Sequence, residues 1–273
     1  MRQPRARGTA VDAIRIGNWL ENFAGYRVQI SQLRISRWFG QFENTHQDVA
    51  ARILDCVEFF REDHLANGYR AVFGRLQGWS KKASQRQERW RFVAFSTHAG
   101  ENGDRMLHTF RTATGLSATR YDELFIHRSD LLREGLTAED TVVFVDDFAG
   151  TGNQAVTAWN ESLGELLPGR PRTYLVLIAA MSSAVQQISA QTPMTVKAFR
   201  WFRARDNFFA GECLHFSSAE KAIVLRYCEL ADNVNPRGYG DCGVLVVFAH
   251  RCPNNSLPIL HSNRPAFRGL FPR

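Results

Sequence analysis

Residues 141–154, TVVFVDDFAGTGNQ, decide how the rest of the chain is read. Val142, Val143, Phe144 and Val145 form an unbroken apolar run. Three are β-branched, one is aromatic, and the run is short. It therefore predicts a strand covered on both faces, as in a parallel sheet. Asp146 and Asp147 stand at its C-terminal end. Ala149, Gly150, Thr151 and Gly152 then make a turn of small residues, and Asn153 and Gln154 start a helix. Glycines let backbone N–H groups approach a ligand, and the first turn of a helix offers unpaired donors. Together they suit an anion, a phosphate above all. Two carboxylates beside them suit ribose hydroxyls or a hydrated Mg²⁺. The expected ligand is a phosphorylated sugar. The competing reading is an α/β loop whose acids cap a helix.

The segment VVFVDDFAGTG resembles the phosphoribosyl pyrophosphate (PRPP) motif of type I phosphoribosyltransferases: four apolar residues, two acids, three variable residues, then Thr-Gly. The resemblance implies that Asp146 and Asp147 face the ribose 2′- and 3′-hydroxyls and bind Mg²⁺. It implies that residues 149–153 wrap the 5′-phosphate, with the Thr151 hydroxyl as an added donor, and that Gln154 belongs to the same phosphate-binding set. This chain carries Phe148, Asn153 and Gln154 where the family usually has other residues. Those departures leave Thr151 and both glycines intact, and point to an unusual acceptor.

The same resemblance directs attention to the strand before. Phe92-Val93-Ala94-Phe95-Ser96 reads as the first core strand, followed by a small polar loop and a helix through Met106, Leu107 and Phe110. Phosphoribosyltransferases place their pyrophosphate loop there. Residues 96–101 are the candidate: Ser96, Thr97, Ala99 and Gly100 as binding groups, and His98 as a pyrophosphate contact or general acid/base. Glu101 and Asp104 either meet Mg²⁺ or are helix-start acids. Leu124-Phe125-Ile126-His127-Arg128 reads as a short strand, and Arg128 is the basic residue expected to reach pyrophosphate.

Further strands are expected at residues 174–180, 195–199 and 243–248, and helices at residues 155–167, 184–190 and 218–231, the last capped by Ser217 or Ser218. Strand and helix alternate, so the expected fold is a three-layer α/β/α domain with a mostly parallel sheet, and ligands at the strand C-terminal ends. Residues 1–75 look helical, without strand-like alternation. Val49, Ile53, Val57 and Phe60 form one apolar helix face, and Asn44 or Thr45 is the expected cap. The expected division is a helical appendage over residues 1–78 and a phosphoribosyltransferase-like domain over residues 79–273.

The net charge of +7 rests mostly on arginine, which favours bidentate contact with phosphate or carboxylate. Residues 80–91 concentrate part of it, with Trp79 just before them and Trp90 among them. They read either as a solvated face or as a docking strip for a nucleic acid or nucleoprotein partner. Five scattered cysteines without a CxxC pair fit a reducing, cytoplasmic setting. No run approaches the length of a transmembrane helix, and the basic N-terminus lacks the apolar core of a secretory signal. There is no P-loop and no GxSxG.

The tail from Ala249 to Leu260, with residues 267–273, resembles the C-terminal signature of a branch of phosphoribosyltransferase-like proteins. That branch occurs in bacterial conflict systems, including some retron antiphage cassettes. The resemblance spans roughly residues 35–273. It implies a defence effector that transfers or cleaves at ribose C1. The alternative is a sugar-phosphate sensor without catalysis.

Overall fold

The computed structural model describes residues 13–95 and 103–273. In chain order these form helices α1 (Ala13–Asn22), α2 (Gln32–Phe39) and α3 (Gln47–Asp55), strand β1 (Glu58–Phe60), helix α4 (Glu62–Phe73), strand β2 (Trp90–Ala94) and helix α5 (Gly103–Ala113). Strand β3 (Thr141–Ala149), helices α6 (Asn153–Ala158) and α7 (Gly164–Leu166), strand β4 (Arg172–Met181), helix α8 (Ser182–Gln191) and strand β5 (Thr195–Phe202) follow. The chain ends with helix α9 (Ser218–Ala231), strand β6 (Val246–Phe248), helix α10 (Pro258–His261) and the hairpin β7 (Asn263–Arg264) and β8 (Phe267–Arg268). No described helix is long and apolar enough to cross a membrane. All five cysteines are free.

The chain divides into two compact units: Asp63–Arg203, and Met1–Glu62 together with Ala204–Arg273. This cut differs from the one expected at residue 78, because β1 and the C-terminal strand β6 pair with each other.

The contiguous unit is built on a four-stranded parallel sheet in the order β2-β3-β4-β5. Val142, Val143, Phe144 and Val145 are fully buried at its centre, as an apolar run without alternation requires. β3 lies in register with β2 through Phe92 and Val143, and with β4 through Val143 and Tyr174. The strand expected at residues 124–128 is reduced to one residue. Phe125 makes a single parallel bridge to Phe92, and Ile126 N–H donates to Phe92 O at 3.2 Å. The segments on either side turn into 3₁₀ helices, Thr119–Leu124 and Arg128–Asp130, the first anchored by buried Tyr121 and Leu124.

That bridge has a topological meaning. After β2 the chain steps outward to Phe125, then returns past β2 to β3 and continues to β4 and β5. The order therefore reverses between β2 and β3, and open parallel sheets bind ligands at such a reversal. Right-handed crossovers put α5 on one face and α6 and α8 on the other, so helices cover both sides of the sheet. Aromatic packing agrees for the first face: Phe92 meets Phe110 of α5 at 5.3 Å and Phe73 of α4 at 6.0 Å.

Asp140 pins the start of β3. Its carboxylate accepts from Arg89 Nε at 3.1 Å, Arg89 Nη2 at 2.6 Å, Arg89 N–H at 3.1 Å and Thr137 N–H at 2.7 Å. Burial would push this carboxyl up, but these bonds and the Arg89 charge outweigh burial and hold it at about 2. The unfolded carboxyl titrates near about 3.9. Its contribution is therefore complete above that pH and drains away as pH falls towards the folded value. Asp140→Asn is expected to cost about 2 kcal/mol at pH 7 and much less at pH 2, measured by urea unfolding. An equal loss at both pH values would remove the carboxylate from the account.

The second unit packs aromatic helices around its own core. Trp19, Phe23, Trp38, Phe39, Phe42, Phe59, Phe267 and Phe271 are all buried there. β1 and β6 form a two-stranded parallel sheet, Glu58 opposite Val246 and Phe60 opposite Phe248. Residues 1–75 thus contain a strand after all. The helix expected to carry Val57 and Phe60 stops at Cys56, and Glu58–Phe60 find a partner far away in sequence. Likewise, the strand expected at residues 243–248 is confined to Val246–Phe248 and lies outside the four-stranded sheet. Asn44 and Thr45 belong to a 3₁₀ turn, so His46, not they, stands at the start of α3. The cap of α9 is as expected. Ser217 accepts from Glu220 N–H at 3.3 Å, and Glu220 reaches back to Ser217 N–H at 2.7 Å.

Candidate functional site

β3 runs past the apolar core and delivers Asp146 and Asp147 half-buried at its C-terminal end. Their backbone is fixed from below. Tyr69, on α4, donates its hydroxyl to Asp146 O at 2.9 Å. Tyr69 is fully buried, and desolvation, then the charges of Asp147 and Asp146, push its hydroxyl well above the usual phenol range. It remains a neutral donor. Asp147 N–H donates to Asp146 Oδ1 at 2.9 Å, so the first carboxylate folds back over the second peptide.

Ala149 is the last strand residue, paired in register with Ala180. The chain then turns through Gly150, Thr151 and Gly152 into α6. Thr151 Oγ1 accepts from Asn153 N–H at 3.2 Å, leaving the hydroxyl proton to donate elsewhere. Gly152 has φ +86°. A Cβ there would lie 2.8 Å from Ala184 O and 3.1 Å from Ile188 Cγ1 of α8. Glycine is therefore demanded twice, by the left-handed backbone and by contact with α8. Asn153 Oδ1 accepts from Gln187 Nε2 at 2.6 Å, a second tie between the turn and α8. Gln154 is exposed in the first turn of α6.

The structure thus gathers Asp146, Asp147, Ala149, Gly150, Thr151, Gly152 and Asn153 on one preformed turn at the β2–β3 reversal. Ser96, Thr97, His98, Ala99, Gly100 and Glu101 lie outside the described residues. Asp104 is exposed in the first turn of α5. Arg128 Nη2 donates to Ser162 Oγ, in the π-helical turn Trp159–Leu163 that interrupts the helix expected over residues 155–167. Tyr69 and Gln187 escape sequence reasoning. Each sits on a helix far along the chain from the motif, and nothing local marks it.

A family model described as PRTase-CE matches residues 35–273. The chain belongs to this phosphoribosyltransferase-like family. A search among curated proteins finds no match.

In this PRTase-CE chain the donor set suits Mg²⁺ in one specific way. Among the described residues there is no cluster of three or more His, Cys, Asp or Glu side chains that could hold a metal. Asp146 and Asp147 supply hard carboxylate oxygens. Mg²⁺ is commonly held by one or two carboxylates, with waters and substrate phosphates completing the octahedron. The pair could hold such an ion together with a phosphorylated substrate.

The basic strip of the PRTase-CE chain is largely engaged within the fold. Arg89 bonds Asp140 and the carbonyls of Glu134 and Gly135, each carbonyl at 3.0 Å. Arg91 Nε donates to Glu134 at 2.7 Å. Arg86 lies over the Trp79 ring at 4.6 Å and donates to Ser80 O, and burial lowers its pKa. Lys81 and Lys82 are the exposed cations left on the strip.

Proposed function

We propose that the chain binds PRPP or a related ribose phosphate with Mg²⁺ at the β3 turn, and transfers or cleaves at ribose C1 as an effector of a bacterial antiphage system of the retron kind. The observation that carries this reading is the acid pair ending β3 beside the left-handed turn at Gly152, at the point where the strand order reverses. The family membership supports it, and the defence context rests on the resemblance of the C-terminal tail.

In this reading Asp146 and Asp147 accept from the ribose hydroxyls and hold the sugar in place. The turn and the Thr151 hydroxyl take the 5′-phosphate. Tyr69, bonded to Asp146 O, keeps the strand end from shifting as the substrate loads. The acceptor atom bonds C1, and pyrophosphate leaves with the electron pair of the C1–O bond. Bound Mg²⁺ supplies charge neutralisation of the leaving pyrophosphate. Incubation of the full chain with PRPP, Mg²⁺ and bacterial extract, followed by mass spectrometry, is expected to show pyrophosphate release and a ribosylated or hydrolysed product. Binding of PRPP with no turnover would leave the sensor reading in its place. The single-residue bridge at Phe125 and the engagement of Arg128 with Ser162 favour that second reading.

A nucleic-acid or nucleoprotein partner stays a proposal of the same kind. On the strip it would rest on Lys81 and Lys82. Lys81→Glu with Lys82→Glu should then weaken capture of a single-stranded oligonucleotide, and unchanged capture would return the strip to an ordinary solvated face.

A further inference from the structure

The unit formed by the two ends of the described chain holds a cavity of about 550 Å³ between α2 and the arm at residues 262–272. Its volume lies within the roughly 300–1,000 Å³ usual for small-molecule sites. Arg34 and Arg37 enter it from successive turns of α2, and Arg268 lines it from the arm. Gln29, Ser31 and Asn263 add neutral polar groups, and no carboxylate side chain is among the described residues lining it.

The walls are fixed in advance. Gln41 clamps the peptide of Arg268 from both sides: Arg268 N–H donates to Oε1 at 2.6 Å, and Nε2 donates to Arg268 O at 2.9 Å. Arg34 Nε donates to Leu270 O at 2.8 Å. Tyr26 donates its hydroxyl to Pro272 O at 2.7 Å. Gly269 lets the arm lie against α10, for a Cβ there would come within 2.6 Å of Leu260 O and Ser262 N. Trp38 Nε1 donates to Ile259 O at 2.8 Å beneath the cavity.

The guanidiniums are not consumed by this scaffolding. Arg34 uses only Nε for it. Arg37 and Arg268 are exposed, and among the described residues their side chains make no ion pair or hydrogen bond. Three positive charges held around one concavity, with no acidic side chain in its described lining, repel one another and focus a positive field into it. An anion relieves that repulsion.

We propose that this cavity is a second ligand site, for a phosphate-bearing small molecule of about nucleotide size. Forked guanidinium donors match phosphate oxygens, and Gln29 and Asn263 can meet the polar edge of the remainder. Converging arginines suit a terminal phosphate with several charged oxygens on one atom. A nucleic-acid strand instead spreads single charges along its length.

The test is calorimetric titration of the full chain with ATP, AMP, inorganic phosphate, adenosine and a single-stranded oligonucleotide, all without Mg²⁺. ATP or AMP is expected to bind, and adenosine to fail. Arg37→Ala with Arg268→Ala should weaken binding at least tenfold, while Asp146→Asn with Asp147→Asn leaves it unchanged. Equal binding of inorganic phosphate would show that the cavity reads phosphate alone, and would overturn the nucleotide-sized ligand. Should the double arginine variant melt early, Arg37→Gln alone carries the comparison. The proposal fails if no phosphate probe binds, if binding ignores the arginines, or if it disappears with the acid pair. It also fails if the oligonucleotide binds more tightly than ATP with the same arginine dependence.

Discussion

Changing Asp146 and Asp147 together to Asn is expected to weaken PRPP binding in the presence of Mg²⁺ by about 100-fold or more. Each carboxylate would accept from a ribose hydroxyl, and a hydrogen bond to a charged group is worth about 1.5–3 kcal/mol. Two such bonds amount to at least about 3 kcal/mol, or two decades of affinity. The replacement keeps two contacts of the strand end. An Asn at position 146 keeps an acceptor for Asp147 N–H, which now bonds Asp146 Oδ1 at 2.9 Å. The Tyr69 bond goes to a backbone oxygen and is untouched. Calorimetry on both proteins, with and without Mg²⁺, reads the effect. Equal affinities would show that the acids do not hold the sugar.

Gly152→Val is expected to destabilise the fold by about 3 kcal/mol or more, before any ligand is considered. A branched residue at φ +86° is strained. Its Cβ would also press on Ala184 O, a backbone atom that cannot swing away, at 2.8 Å. Such a combination belongs to the upper range of single-substitution effects. Urea unfolding should show it, and a loss below 1 kcal/mol would mean the turn is not left-handed. A loss of PRPP binding in this variant would therefore report on folding first. Thr151→Ala, which leaves the backbone free to keep its turn, is the cleaner probe of the phosphate.

The parts of the fold that were legible share one property: their cause is local. β3 and β4 announce themselves as apolar runs, and α9 carries its capping box within four residues, Ser217 to Glu220. The acid pair and Gly turn are equally local, so the centre of the candidate site could be read directly. What stayed hidden depends on partners far along the chain. Glu58-Phe59-Phe60 looks like a helix end until Val246–Phe248 is placed beside it. Phe125 looks like the middle of a strand, but only one residue of it reaches β2. Arg89 and Arg91 look like surface cations, yet Asp140 and Glu134 take them up. Tyr69 has the periodicity of an ordinary core residue, and its bond to the site is invisible in that pattern.

The pairing of β1 with β6 also sets an order of events during synthesis. The segment Asp63–Arg203 can collapse as soon as it leaves the ribosome, because its sheet is made of successive strands. The segment before it must wait for residues 204–273, since the partner of Glu58–Phe60 is Val246–Phe248, far downstream. Until then Trp19, Phe23, Trp38 and Phe42 have no C-terminal arm to bury them. Nascent chains with such exposed apolar surface aggregate and engage chaperones. Truncated products that stop before residue 246 should therefore be cleared or precipitate, because they lack the strand that pairs with Glu58–Phe60.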